Sequence, residues 1–337
     1  MKNIVFFDSA DYERIYLENA LGKIFNCEFV RDTLNDLSVL SDVQKSAEII
    51  SCFTTSRISD KVLKQFPNLK LIALRSVGFN HVDIDYCREK GIAVENTPNY
   101  GNMTVAEFAF ALLLDVSRKV TNSYNNLKNL QIDASQTVGV ELFGKTIGII
   151  GLGAIGAEMA RLSYGFGLNI LGFDLRERED LKLKYSVNYT DFNTLIENSD
   201  IISLHTPLTK DNYHIFNSEV FSRMKPSAVL INTARGELID TQALYNAIVE
   251  NKIAGAGLDV LESEETLTDI EYLVDVGRMN VNSLQKTVLN NNLLKLDNVI
   301  ITPHIAYDTK EAIRRILDFT ISNIRAFAEG KIQNNVY

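Results

Sequence analysis

The sequence predicts an α/β protein built from two doubly wound parallel-sheet domains, and three observations carry that expectation. Short apolar runs alternate with amphipathic stretches through the first hundred residues and again after Thr146, as parallel strands covered by helices on both faces require. The chain has 337 residues, about twice the common domain size. A glycine-rich turn, Gly151–Gly156, directly follows the first strand of the second series.

In the first series Ile4–Phe7, Glu28–Val30, Glu48–Phe53, Leu69–Leu74 and Ile92–Val94 read as strands. Tyr12–Leu21, Asp60–Gln65 and Val82–Lys90 carry apolar residues at helical spacing, with Gly91 as a C-cap. Thr104–Val120 predicts a helix apolar almost all round, buried in the protein or against a second subunit, so a homodimer is the default expectation. Asn122–Val138 is polar and reads as an irregular surface segment. The second series places strands at Thr146–Ile150, Asn169–Phe173, Ile201–Leu204, Ala228–Asn232, Gly255–Asp259 and Val299–Thr302. Between the last two, Glu265–Leu296 reads as an irregular insertion. Lys310–Ala328 is a final helix with room to pack back on the first domain.

Asp and Glu number 43 against 34 Lys and Arg, for a net charge of −9, and no basic run stands out. That balance excludes a nucleic-acid or membrane-surface partner, since phosphate binding wants a basic face. Cys27, Cys52 and Cys87 form no C-x-x-C pair and sit at no metal-ligand spacing, so free thiols and a metal-free chemistry are expected. The apolar run Ile4–Phe7 is too short for a signal peptide or a span, which predicts a reduced, cytoplasmic protein.

Gly151-Leu152-Gly153-Ala154-Ile155-Gly156 is G-x-G-x-x-G between a strand and a helix, Ala157–Gly165. Gly151 permits the tight turn, Gly153 lets the backbone approach a pyrophosphate, and Gly156 lets helix and strand pack closely. The helix start, with Ala154 and Ile155, then presents free N–H groups to the phosphates. Asp174 ends the next strand, where a carboxylate accepts from a ribose 2′-OH and repels a 2′-phosphate; NAD is therefore favoured over NADP, a preference that Arg176 tempers. His205, with Thr206 and Pro207, ends a later strand and is assigned a place beside the cofactor, as are Thr233 and Ala234.

Reducing a carbonyl next to a carboxylate also needs a proton donor, a group that tunes it and a cation for the acid. Arg235 follows a strand in Asn232-Thr233-Ala234-Arg235-Gly236, and its planar fork suits a carboxylate. Glu264 follows Gly257-Leu258-Asp259-Val260, and His304 follows Ile300-Ile301-Thr302-Pro303. A carboxylate paired with an imidazole raises its pKa and fixes its tautomer, giving a general acid near neutral pH. His205 is the rival donor, but no carboxylate follows it at a matching strand end. His81 and His214 read as helix-start or surface residues.

On these motifs the sequence resembles the D-isomer-specific 2-hydroxyacid dehydrogenase family over nearly its whole length, most closely the D-lactate dehydrogenase branch. The family's arginine motif looks like Asn232–Gly236, its G-L-D-V segment like Gly257–Val260 and its T-P-H-x-A segment like Thr302–Ala306. The resemblance implies that Arg235 binds the substrate carboxylate and polarises the keto oxygen, that Glu264 pairs with His304 as acid/base, and that Asp259 lies near the nicotinamide. It also implies that the N–H groups of Val77 and Gly78, in Arg75–Gly78, hold the carboxylate and that Tyr100, Tyr307 and Phe53 line the pocket. Gly101-Asn102-Met103, and Phe108 after Glu107, depart from the branch's usual pattern.

The expectation is thus an NAD-dependent 2-hydroxyacid oxidoreductase acting on a small 2-keto or 2-hydroxy acid, first of all pyruvate and D-lactate. A glyoxylate/hydroxypyruvate or branched 2-keto-acid reductase is the alternative within the family, and an NAD(H)-sensing binding protein of the same fold is the alternative outside enzymes. Residues 1–101 and 305–337 would form a flavodoxin-like substrate domain and 102–304 the NAD-binding Rossmann domain, with a cleft between.

Overall fold

Five parallel strands make the first sheet: β1 (Lys2–Phe6), β2 (Phe25–Phe29), β3 (Ile49–Cys52), β4 (Leu71–Leu74) and β5 (Ala93–Glu95), in the order β2-β1-β3-β4-β5. In this computed structural model the described residues are 2–130, 137–264 and 281–337. β3 and β4 are buried at every position because both sheet faces are covered. Successive side chains alternate between those faces. Ile4, Phe6, Ile49 and Leu71 meet Leu17, Leu21, Leu317 and Ile324 on one face, and Val5, Ile50 and Ile72 meet Val62, Leu63 and Cys87 on the other. The Lys310–Ala328 helix, capped by the Thr309 hydroxyl, supplies Leu317 and Ile324 and so returns to this sheet.

Seven parallel strands make the second sheet: β6 (Thr146–Ile150), β7 (Asn169–Phe173), β8 (Asn188–Tyr189), β9 (Ile201–Leu204), β10 (Val229–Asn232), β11 (Gly255–Leu258) and β12 (Val299–Ile301). Their order is β12-β11-β10-β9-β6-β7-β8. Strand order reverses between β6 and β9, and in the first sheet between β1 and β3. At such a switch point the chain leaves to opposite sides and opens a crevice beyond the strands' carboxyl ends. Compactness divides the chain into Met1–Tyr100 with Thr309–Tyr337, and Gly101–Asp308. Residues 305–308 stay with the second unit, where the backbone N–H groups of Ile305 and Ala306 bond to Asp259.

The apolar helix, Asn102–Arg118, takes one of the two burials expected of it, within the protein: Ala109, Phe110 and Leu113 pack with Ile147, Ile149, Met159 and Ile231. Three other elements differ from the sequence reading. The stretch read as irregular from Asn122 holds a helix, Val120–Lys128. It restarts after Lys119 at φ 53°, with Thr121 N–H and O–H donating to the Asp115 carboxylate at 2.8 and 2.6 Å. None of its residues is buried; its apolar residues Val120, Tyr124 and Leu127 share one exposed face, set among polar residues in a nine-residue stretch too short to read as a period. Within Glu265–Leu296, residues 265–280 lie outside those described, but Val281–Leu293 is a helix. It buries Thr287, Asn290 and Leu293, a face too polar to read from hydrophobicity. β8, two residues long, was not anticipated at all.

Candidate active site

The glycine turn leaves β6 at the switch point. Gly151 adopts φ 89°, and a Cβ there would lie 2.7 Å from the His205 carbonyl. At Gly156 a Cβ would collide with the Gly151 carbonyl oxygen, whereas at Gly153 it would meet nothing within 4 Å. The helix that starts at Ala154 has no side-chain cap, so its first N–H groups are left to an outside acceptor. Asp174, at the end of β7, accepts from Leu152 N–H at 2.6 Å and from Arg176 N–H at 3.1 Å. Each carboxylate oxygen keeps a lone pair for a further donor. The hydroxyl of Thr233, after β10, is buried and has no partner among the described residues. An open glycine edge, uncapped helix N–H groups, a carboxylate at the second strand end and an orphaned hydroxyl fit a dinucleotide.

His205 follows β9 with its backbone N–H on the Ile150 carbonyl at 2.8 Å and its Nε2 2.8 Å from Ser203 Oγ. Burial lowers its pKa to about 4, so at neutral pH this imidazole is neutral and carries no extra proton to give. His304 is its opposite. Its Nδ1 lies 2.7 Å from Glu264 Oε1; a carboxylate can only accept, so Nδ1–H donates and the transferable proton falls on Nε2. Burial pulls the His304 pKa down, but the hydrogen bond and charge of Glu264, helped by Asp259, outweigh it and the opposing Arg235 cation, leaving it above its ordinary value. Both side chains of the pair are 41% exposed, open to a small reactant.

The backbone aims these groups. His304 sits at φ 55° and Ser263, just before Glu264, at φ 54°, left-handed conformations that persist only where surrounding bonds over-determine them. For His304 those bonds come from Asp259, which is 1% exposed. Its carboxylate accepts from Thr302 Oγ1 at 2.6 Å, Ile305 N–H at 2.9 Å and Ala306 N–H at 2.8 Å. Asp259 therefore shapes the turn that carries His304, a task its sequence position did not suggest. Arg235 is half-buried, and its guanidinium donates to the carbonyl of its neighbour Ala234 at 2.6 Å. Asn232 ties that turn by donating to the Arg235 carbonyl at 2.8 Å.

In the first unit the Arg75–Gly78 loop follows β4. Its carbonyls are engaged: Ser76 O by Thr97 N–H at 3.0 Å, Val77 O by Asn96 Nδ2 at 2.8 Å and Gly78 O by Ser76 Oγ at 2.7 Å. The N–H groups of Val77 and Gly78 have no partner among the described residues. Successive free N–H groups of this kind make an anion-binding concavity. Phe53 is half-buried and is placed by its N–H on Asp8 Oδ2 at 3.0 Å. Tyr100 is buried, its carbonyl held by Arg315 Nε at 2.6 Å. Tyr307 is half-buried and belongs to the second unit.

Three residues near the site escaped sequence reasoning. Arg178 donates to the Leu152 and Gly153 carbonyls at 3.3 and 3.2 Å while paired with Asp180, and so braces the glycine turn. His214, read as a surface or helix-start residue, bonds to the buried carboxylate of Glu262 at 2.8 Å. Glu262, two residues before Glu264, is 2% exposed and drew no reading from the sequence.

Fold and site together define a dinucleotide-dependent oxidoreductase. Residues 110–306 match the model of the D-isomer specific 2-hydroxyacid dehydrogenase NAD-binding domain, and the chain belongs to that family of NAD-dependent enzymes. It is 33% identical to the D-lactate dehydrogenase of Escherichia coli over 96% of each chain. It is 35% identical to the glyoxylate reductase of Korarchaeum cryptofilum over 88% of this chain and 85% of that one. Among solved structures, D-lactate dehydrogenase from Aquifex aeolicus, complexed with NAD and lactic acid, superposes with a TM-score of 0.85 at 38% identity, covering 97% of this chain and 96% of that one.

Proposed function

We propose that this protein is a D-lactate dehydrogenase that reduces pyruvate with NADH. Bound NADH supplies the hydride for C2. His304 gives the proton at Nε2 to the keto oxygen, and Glu264 keeps it protonated near neutral pH and fixes the ring. Arg235 holds the carboxylate and polarises the carbonyl, and the N–H groups of Val77 and Gly78 bind the carboxylate as well. Tyr100, Tyr307 and Phe53 line the pocket. Gly151, Gly153, Ala154, Ile155, Gly156 and Asp174 would hold the cofactor together with His205, Thr206, Pro207, Thr233 and Ala234, and Asp259 would lie near its nicotinamide. The observation that carries this reading is the 2.7 Å His304–Glu264 pair, with the pKa of His304 raised against burial.

Pyruvate is preferred because similarity to D-lactate dehydrogenases runs nearly end to end, 96% of each chain for the E. coli enzyme. A steady-state panel of pyruvate, glyoxylate, hydroxypyruvate and branched 2-keto acids, each with NADH and NADPH, tests it. The highest kcat/KM is expected for pyruvate with NADH. A higher value for glyoxylate or hydroxypyruvate would make the protein the corresponding reductase, and tight NADH binding without turnover would make it a sensor. We propose further that the protein works in the cytoplasm as a homodimer. Val120, Tyr124 and Leu127, on one face of the Val120–Lys128 helix, are each more than half exposed and supply an apolar surface for a second copy. Sedimentation showing only monomer would overturn the dimer.

A further inference from the structure

Glu262 stands two residues before Glu264 and is 2% exposed. Its Oε1 accepts from Lys286 Nζ at 2.7 Å and from His214 Nε2 at 2.8 Å, and its Oε2 from Thr241 Oγ1 at 2.7 Å and Thr241 N–H at 3.2 Å. Its backbone carbonyl accepts from Asn290 Nδ2 at 2.9 Å. These donors come from three separate stretches: the loop after β9, the first turn of the Thr241–Val249 helix, and the Val281–Leu293 helix. Burial pushes the Glu262 pKa up, but the donors outweigh it and hold the group below the usual carboxylate range.

The peptide so anchored touches both halves of the reactive set. On one side, Ser263 turns through φ 54° and delivers Glu264 to His304, and Glu264 Oε2 accepts from Leu261 N–H at 3.4 Å. On the other side, Gly236 packs so closely on the Leu261–Glu262 peptide that a Cβ there would overlap the Leu261 carbonyl and the Glu262 nitrogen. Gly236 is the residue after Arg235. The turn that carries the cation therefore rests on the same peptide that carries the carboxylate.

We propose that Glu262, clamped by Lys286, His214 and Thr241, is a positioning residue that sets Glu264 against His304 and seats the Arg235 turn beside them. The inference rests on the reading of Arg235, Glu264 and His304 as the reacting groups. An amide at 262 has one acceptor oxygen where the carboxylate has two, so Glu262→Gln sets an N–H2 against Lys286 and His214 or against Thr241. The peptide then loses one of its anchors, the Ser263 turn relaxes, and Glu264 drifts from His304.

The test measures pyruvate reduction against pH for Glu262→Gln and Lys286→Met, with Glu264→Gln alongside and NADH binding followed by fluorescence. Should another 2-keto acid lead the substrate panel, it replaces pyruvate. Glu262→Gln and Lys286→Met should lower kcat about 10–100-fold and leave NADH affinity unchanged. Reduction needs protonated His304, so rate falls as pH rises through its pKa; a loosened Glu264 lowers that pKa and moves the fall to lower pH. Both variants should shift it in the same direction as Glu264→Gln, and Lys286→Arg should restore it. A lowered melting temperature with an unmoved pH profile in both overturns the clamp. If Glu264→Gln itself leaves the profile unmoved, the acid/base reading fails and takes the clamp with it. Should Glu262→Gln not fold, Lys286→Met decides alone, since its side chain is partly exposed and Glu262 keeps its His214 and Thr241 donors.

Discussion

The two units are built alike, yet the polar groups at their strand ends are used in opposite ways, as two arginines show. Arg75 after β4 is 1% exposed and all its bonds are structural. It donates to the Phe7 and Asp8 carbonyls at 2.6 and 2.9 Å and to Ser51 Oγ at 3.3 Å, with Glu13 3.7 Å away. Asp8 in turn binds Phe53 N–H, Thr55 and Ser56. What the first unit presents outward is backbone, the free N–H groups of Val77 and Gly78. Arg235 after β10 is half-buried, its guanidinium bonding among the described residues only to its neighbour's carbonyl, and the second unit presents titratable side chains. One fold thus yields a fixed cradle or a reactive site according to whether the arginine after the strand is spent on backbone carbonyls of its own unit or left open to a reactant.

The largest test of that contrast is the arginine pair. Arg235→Met should lower kcat/KM for the 2-keto acid by roughly 10³-fold or more with little change in urea unfolding; near-normal turnover would remove Arg235 from the site. Arg75→Met should do the reverse, costing about 3–5 kcal/mol of stability because Glu13 and two carbonyls lose their partner. Unfolding at the unsubstituted protein's urea concentration would show that those bonds contribute nothing.

The glycine turn sharpens the comparison next. Gly156→Ala forces a carbon into the Gly151 carbonyl and should cost about 1–3 kcal/mol, with NADH binding lost. Gly153→Ala should leave the urea midpoint in place and weaken NADH alone; equal destabilisation by both would contradict the open edge at Gly153.

The smallest effect is shared by the two units. Burial lowers His81 in the first and His205 in the second to a pKa of about 4. As pH falls below the ordinary imidazole value near 6.5, the unfolded chain binds protons that the folded chain refuses. The contribution is therefore complete above that value and lost toward pH 4, with about 2 kcal/mol for each residue already gone at pH 5. His304, raised instead, contributes below its ordinary value and loses that contribution as pH rises through the raised one. Urea unfolding at pH 7 and pH 5 should show a smaller drop for His81→Gln than for the unsubstituted protein; an equal drop would sink this account.

Both sheets, short of β8, and the glycine turn were legible in the sequence, because apolar runs and G-x-G-x-x-G follow directly from burial and close approach; the pairing of Glu264 with His304 came only from the family resemblance. The Glu262 clamp was not legible. In Glu262-Ser263-Glu264-Glu265 nothing local marks which acid turns inward; its partners His214, Thr241 and Lys286 lie 21 to 48 residues away. Asp259 hid its task in the same way, its donors being 43 to 47 residues downstream. The Val120–Lys128 helix escaped because it is short and its apolar face stands exposed among polar residues, and the Val281–Leu293 helix because the face it buries is mostly polar.

The ion pair from Glu262 to Lys286 also ties the Val281–Leu293 helix to the turn after β11, and Asn290 ties it a second time through the Glu262 carbonyl. Residues four apart lie on one face of a helix, a turn from each other. Two such bonds fix both where the helix lies and how it is rotated about its axis, so one buried carboxylate and its own carbonyl locate a whole helix beside the acid/base pair.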